Sequence, residues 1–157
     1  MYAIGDRIVH PMHGAGVIED IVTQRSGGAP REYYVFRAPM DAVVVLIPTA
    51  SSGEIGVRPV VERAEAEALL EAYPALPAES SVSWNRRYRD NMLRIKSGDL
   101  TEVAVVVKSL IHRGRGHTLS TGERKMLAAA KRILLSELSL VLGDSVDELE
   151  RRLDGAP

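Results

Sequence analysis

The sequence predicts an α+β chain, with a small SH3-like β-barrel at the N-terminus followed by an all-α helical bundle. Three observations carry this. Residues 1–58 hold short β-branched and aromatic runs cut by Gly and Pro at strand spacing. Beyond Pro59 the apolar residues recur at i, i+3 and i+4, the helical period. Charge divides the chain as well: residues 83–132 carry 12 Lys and Arg against 4 Asp and Glu, a local +8 in a chain of net charge −1. The expected division is a β domain over 1–58 and a helical domain over 59–157.

In the β region, residues 7–10 form a first strand stopped by Pro11, and Gly14, Ala15 and Gly16 supply the permissive backbone of a turn. Residues 17–22 are a second strand, 26–30 a loop and 33–36 a third strand rich in aromatic residues. Residues 42–47 are the fourth and most apolar strand, stopped by Pro48, and a short fifth lies around Val57. Short strands at this spacing suit a strongly bent sheet or barrel. The run 42–47 barely alternates, so its outward side chains expose apolar surface, and exposed apolar surface predicts a partner.

In the helical region, Val60, Val61, Ala64, Ala68 and Leu69 keep helical spacing up to Tyr73, where Pro74 and Pro77 end the helix. Ser81 and Ser83 offer an N-cap for a second helix reaching Gly98. Asp99 and Glu102 have capping-box spacing and open a third, through Val103, Val106, Val107, Leu110 and Ile111. Residues 113–117 read as a loop. Ser120 and Glu123 form a second capping box for the longest helix, whose stripe is Leu127, Ala130, Ile133, Leu134, Leu138 and Leu142, with Gly143 as its C-cap. Ser145 and Glu148 start a last helix reaching about Leu153, and residues 154–157 are expected to fray.

Composition narrows the function classes. The chain has 157 residues and a hydrophobic fraction of 45%, which is enough for packed cores. Without cysteine there is no disulfide framework, thiol nucleophile or thiolate metal site. No apolar run reaches membrane-span length and no signal peptide opens the chain, so a cytoplasmic protein is expected, with no membrane partner. His10 and His13 have metal-pair spacing, but no cysteine or carboxylate cluster completes a tetrahedral site, and a strand-end pair is the simpler reading. Gly14-Ala15-Gly16 lacks the strand–GxGxxG–helix setting of a dinucleotide site. Ser120 is a helix cap before it is a nucleophile. No acid–base–nucleophile constellation appears. The expectation is a non-enzyme without metal, cofactor or small-molecule ligand.

The basic block is the feature that points to a function. It opens with Trp84, the only tryptophan, followed by Arg86, Arg87 and Arg89 with Tyr88 among them. Polar-tipped aromatics beside fixed cations suit a nucleic-acid backbone and the bases inside it. At about 100° per residue, Tyr88, Met92 and Ile95 fall within about 80° of Trp84, with Arg86 and Arg89 on the opposite side. Two readings of Trp84 follow: the end of a buried core stripe, or a contact projecting from the helix end. Arg124 and Lys125, with Lys131 and Arg132, form a second basic group at the start of the longest helix, whose N-terminus itself favours phosphate.

Three motifs in register resemble the CarD/CdnL family of bacterial RNA polymerase-binding transcription regulators, along nearly the whole chain. They are Gly5-Asp6, Val9, Pro11 and His13-Gly14; then Trp84, Arg86, Arg87, Tyr88 and Arg89 with Ser97-Gly98-Asp99; then Leu119-Ser120, Gly122-Glu123 and Met126-Leu127. The resemblance implies a Tudor-like β domain that docks on the polymerase β subunit. It also implies a helical domain that contacts promoter DNA, largely without sequence specificity, at the upstream edge of the transcription bubble. There the residue matching Trp84 wedges into the minor groove and stabilises the open complex, with Arg86, Arg87, Arg89, Arg124 and Lys125 as its basic companions. Some family members carry arginines at the polymerase-facing positions matching Gln24 and Leu46. Arg25 could stand in for the first by a one-residue shift, and contact at Val44, Leu46 and Pro48 would be apolar or through strand-edge hydrogen bonds. The chain resembles the short, CdnL-type form, without the tail of the larger founding member.

The mechanism this implies is a tethered wedge: the β domain holds polymerase and raises the effective concentration of the helical domain at the promoter. The alternative is a protein-interaction adaptor with no direct DNA contact.

Overall fold

The computed structural model describes residues 1–78 and 83–157, the side chain of Ser26 excepted; the Ser81 cap lies outside these residues. Strands β1 (Arg7–His10), β2 (Gly14–Ser26), β3 (Ala29–Ala38), β4 (Val43–Pro48) and β5 (Arg58–Pro59) form one antiparallel sheet in the order β4-β3-β2-β1-β5. Five helices follow a short α1 (Ser52–Ile55): α2 (Arg63–Ala72), α3 (Trp84–Lys96), α4 (Leu100–Gly116), α5 (Thr121–Leu142) and α6 (Val146–Asp154). This is the α+β arrangement the periodicities predict. Among the described residues, no helix is long and apolar enough to cross a membrane.

The expected loop at 26–30 shrinks to Gly27 and Gly28, with φ of +69° and +99°. Positive φ at both central residues is what a two-residue hairpin turn needs to match strand twist, so β2 and β3 run on to the turn. Their polar tips hid that extension. The expected turn at residues 14–16 is also displaced, to residues 11–13. Gly16 sits inside the ladder instead, where an added Cβ would lie 1.9 Å from the Arg37 carbonyl oxygen. One face of the sheet buries Ile8, Ile18, Tyr34, Phe36, Ala38 and Ile47 with Val57.

Among the helices, α2 starts later than its apolar spacing suggests. Val60 and Val61 stay extended because their N–H groups are used elsewhere, by Arg7 O (3.3 Å) and Glu137 Oε2 (2.8 Å). Asp99 caps α4 by accepting from Thr101 N (2.9 Å), but no capping box forms, since Glu102 pairs with Arg94 at 3.2 Å. Residues 113–116 are the last turn of α4 and not a loop. Arg113 reaches Glu123 Oε2 (2.7 Å), and Arg115 donates to the carbonyls of Asp154 (2.6 Å) and Ala156 (2.8 Å), offsetting the poor helix propensity of Gly114 and Gly116. The Arg115 bonds also tie down the tail expected to fray. The Ser120–Glu123 capping box forms, with both hydrogen bonds at 3.1 Å, and Gly143 closes α5 at φ +81°.

The two regions share a packed joint. Val9 and Ala15 of the sheet belong to the helical core, which centres on α4 and α5. Ala15 N donates to Ser136 Oγ at 2.8 Å, and Arg132 Nη1 donates to Met12 O at 3.2 Å. Arg58 forms a two-pronged ion pair with the fully buried Glu137, whose Oε2 also accepts from Val61 N. Residues 58–61 are therefore fixed in the seam, and the connection between the two regions is held by hydrogen bonds and an ion pair.

Candidate nucleic-acid interface

Helix α3 starts at Trp84 because Ser83 Oγ accepts from Arg86 N (3.2 Å) and satisfies the first turn. Its apolar stripe descends into the core from one end only. Ile95 is buried and Met92 packs against the helical core, whereas Tyr88 is 40% exposed and Trp84 44% exposed. The stripe emerges at its N-terminal end, so Trp84 is a projecting side chain and not the end of a buried row.

The indole stacks on Tyr88, with ring centroids 5.2 Å apart and planes 17° from parallel, an offset stack. Its other neighbour is the first turn of α5: a methyl group at Gly122 would lie 3.6 Å from Trp84 Cζ2. A narrow crevice between the two helices is lined by Trp84, Arg87, Tyr88, Asn91, Glu123 and Met126.

This docking sets the first turns of α3 and α5, which carry Arg86, Arg87 and Arg89 and then Arg124 and Lys125, side by side, with Arg87 lining the crevice beside the ring. Arg86 and Arg89 are exposed and Arg87 half-buried on α3, while Arg124 and Lys125 are exposed on the first turns of α5. Arg124 donates to Leu119 O (2.8 Å) and Thr121 Oγ1 (3.2 Å), which holds its guanidinium over the α5 N-terminus. Glu123 lies within the same turn. Burial pushes its carboxyl pKa up, but hydrogen bonds from Ser120 and Arg113 outweigh that and hold it below the usual range. The resulting negative charge is matched by Arg113 at 2.7 Å.

Half of the basic block serves the fold. Buried Lys108 donates to Tyr73 O (3.1 Å) and Pro74 O, and Lys131 bridges Glu150 (3.0 Å) and Asp154 (2.9 Å). Arg94, Arg113, Arg115 and Arg132 are engaged as described above. The local +8 thus overstates the exposed basic surface, which apart from these residues narrows to Arg86, Arg89 and Lys96 on α3 and Arg124 and Lys125 on α5, with Arg87 half-buried.

On the sheet, β4 is an edge strand, hydrogen-bonded to β3 alone among the described residues. Val44 is 49% and Leu46 40% exposed, the outward apolar surface expected of residues 42–47; Pro48 is half-buried at the strand end. Arg25 is exposed near the hairpin tip, opposite Pro30. Because side chains alternate, Arg25 shares a face with Thr23 and Ile21, whereas Val44, Leu46 and Pro48 share theirs with Tyr33 and Val35. Gln24 and its cross-strand partner Arg31 lie on that second face. Arg31 has no motif to mark it. Only the register reveals it, and the register follows from the Gly27-Gly28 turn.

The His10 and His13 rings lie 4.8 Å apart with their planes tilted by 42°, near the seam; His13 Nδ1 meets Asp41 Oδ2 at 2.6 Å, and His10 Nδ1 accepts from Met12 N. Among the described residues no cluster of three or more His, Cys, Asp or Glu is arranged to hold a metal.

Two family models match the chain: the CarD-like/TRCF RID domain over residues 2–61, and the CarD C-terminal domain over residues 67–154. The chain is also 34% identical over 143 residues to "Putative transcription factor YdeB" of Bacillus subtilis (strain 168), covering 91% of this chain and 94% of that relative.

Proposed function

The chain belongs to the CarD family of transcription regulators, and we propose that it acts as a rigid bracket between RNA polymerase and promoter DNA. In this reading residues 1–58 dock on the polymerase β subunit, and residues 59–157 carry the DNA contact. Edge strand β4 extends a polymerase sheet or seats Val44, Leu46 and Pro48 on it, with the outward-facing Arg31 a better placed cation than Arg25. Arg86, Arg87, Arg89, Arg124 and Lys125 hold phosphates, and Trp84 enters the minor groove where the duplex is already distorted, so less stacking is lost.

One observation carries the proposal: the only tryptophan stands outside both cores, half-exposed, at the meeting point of the helix ends that carry Arg86, Arg87 and Arg89 on α3 and Arg124 and Lys125 on α5. Differential affinity for the melted over the closed promoter then shifts the population, and a preference of about 1.4 kcal/mol changes that equilibrium tenfold. Because the joint at Arg58 and Glu137 is packed, the distance between polymerase contact and wedge is set by the fold. The test is open-complex lifetime with purified polymerase, comparing wild type with Trp84→Ala.

An adaptor that binds protein through its helices draws support from Leu93, 64% exposed on the side of α3 away from Trp84. An unchanged lifetime with Trp84→Ala, together with a shortened one for Leu93→Ser, would favour that reading.

A further inference from the structure

We propose that Tyr88 is a positioning residue, whose ring holds Trp84 in the orientation that meets DNA. This rests on the reading of Trp84 as the wedge. Tyr88 belongs to neither hydrophobic core, and 40% of it is exposed, so core packing does not account for a large aromatic there. Its ring contact is Trp84, at 5.2 Å and 17°.

The geometry follows from the helix. Side chains lean toward the N-terminus, so a residue covers the turn preceding its own Cα. Tyr88 therefore reaches back over the first turn of α3, where Trp84 sits with no earlier helical turn to support it. The stack covers one face of the indole, and the α5 turn at Gly122 lies beside Cζ2. An indole without Tyr88 would populate several rotamers, and insertion would bear the cost of ordering it. The role needs a flat ring and not the phenol hydroxyl, so phenylalanine should replace tyrosine.

Trp84 is the only tryptophan, so its fluorescence reports this site alone. Time-resolved anisotropy should show the ring tumbling with the whole protein in wild type and Tyr88→Phe. Tyr88→Leu should add a fast local component on the picosecond-to-nanosecond scale. Open-complex lifetime should shorten about threefold to tenfold in Tyr88→Leu, the range an aromatic stack is worth, and recover in Tyr88→Phe. In a Trp84→Ala background Tyr88→Leu should have no further effect. A Tyr88→Leu protein that keeps both slow anisotropy and full lifetime, or that still shortens the lifetime without Trp84, overturns the positioning role alone. An unchanged lifetime for Trp84→Ala overturns the wedge reading and this inference with it.

Discussion

Arg58 and Glu137 face each other as a fork, Nη1 to Oε2 at 2.9 Å and Nη2 to Oε1 at 2.7 Å, and so join the last strand of the sheet to the C-terminal half of α5. Glu137 is wholly buried, and its Oε2 also takes the Val61 N–H. Removing one partner of such a pair leaves an uncompensated buried charge, at a cost of about 3–5 kcal/mol. Glu137→Ala, which strands Arg58, should lose stability of that order in urea denaturation. Glu137→Gln, which keeps an acceptor for Val61, should lose less.

Gly16 should tolerate no side chain. Its Cβ would stand 1.9 Å from Arg37 O and 2.8 Å from Phe36 Cε1, so the β2–β3 ladder would have to open. Gly16→Ala is expected to lower stability by about 4 kcal/mol or more, the range reserved for severe backbone or core clashes. A thermal melt within a few degrees of wild type would contradict this.

These two positions show what the sequence makes legible. The change from period 2 to period 3.6, the capping box at Ser120 and Glu123, and the Gly143 stop are local signals, and each appears where local chemistry puts it. The sequence points Gly16 to a turn, but its constraint comes from Arg37, twenty-one positions away across a ladder. The two glycines among residues 113–116 signal a loop, but the helix there is held by Glu123, Asp154 and Ala156 and not by propensity. The exposure of Trp84 is not legible in the sequence for the same reason, since helical spacing gives direction around an axis but not how far along it the core extends.

Glu123 makes stability at the α5 N-terminus sensitive to acid. Its folded pKa lies below the ordinary 4.5, so its contribution is fully present above that pH and is lost as pH falls through the lowered folded value. Thermal melts across this acid range should show Glu123→Gln less stable than wild type at neutral pH, with a shallower loss on acidification.

The sheet edge should separate docking from folding. Val44 and Leu46 are exposed, so Val44→Lys with Leu46→Lys should change stability by no more than about 0.5 kcal/mol per site while weakening capture of polymerase. Arg31→Ala should weaken capture more than Arg25→Ala, because Arg31 shares the face of the β4 contacts. Equal losses would show that the alternation of faces does not govern the contact.

The central claim concerns Trp84, and the most direct measurement is the lifetime of a promoter open complex formed by purified polymerase with wild-type protein or Trp84→Ala. Removing a half-exposed ring outside both cores should leave the melting temperature and polymerase capture near wild type, while the lifetime falls toward that of polymerase alone. A Trp84→Ala protein that binds polymerase and prolongs the open complex as well as wild type would contradict the account.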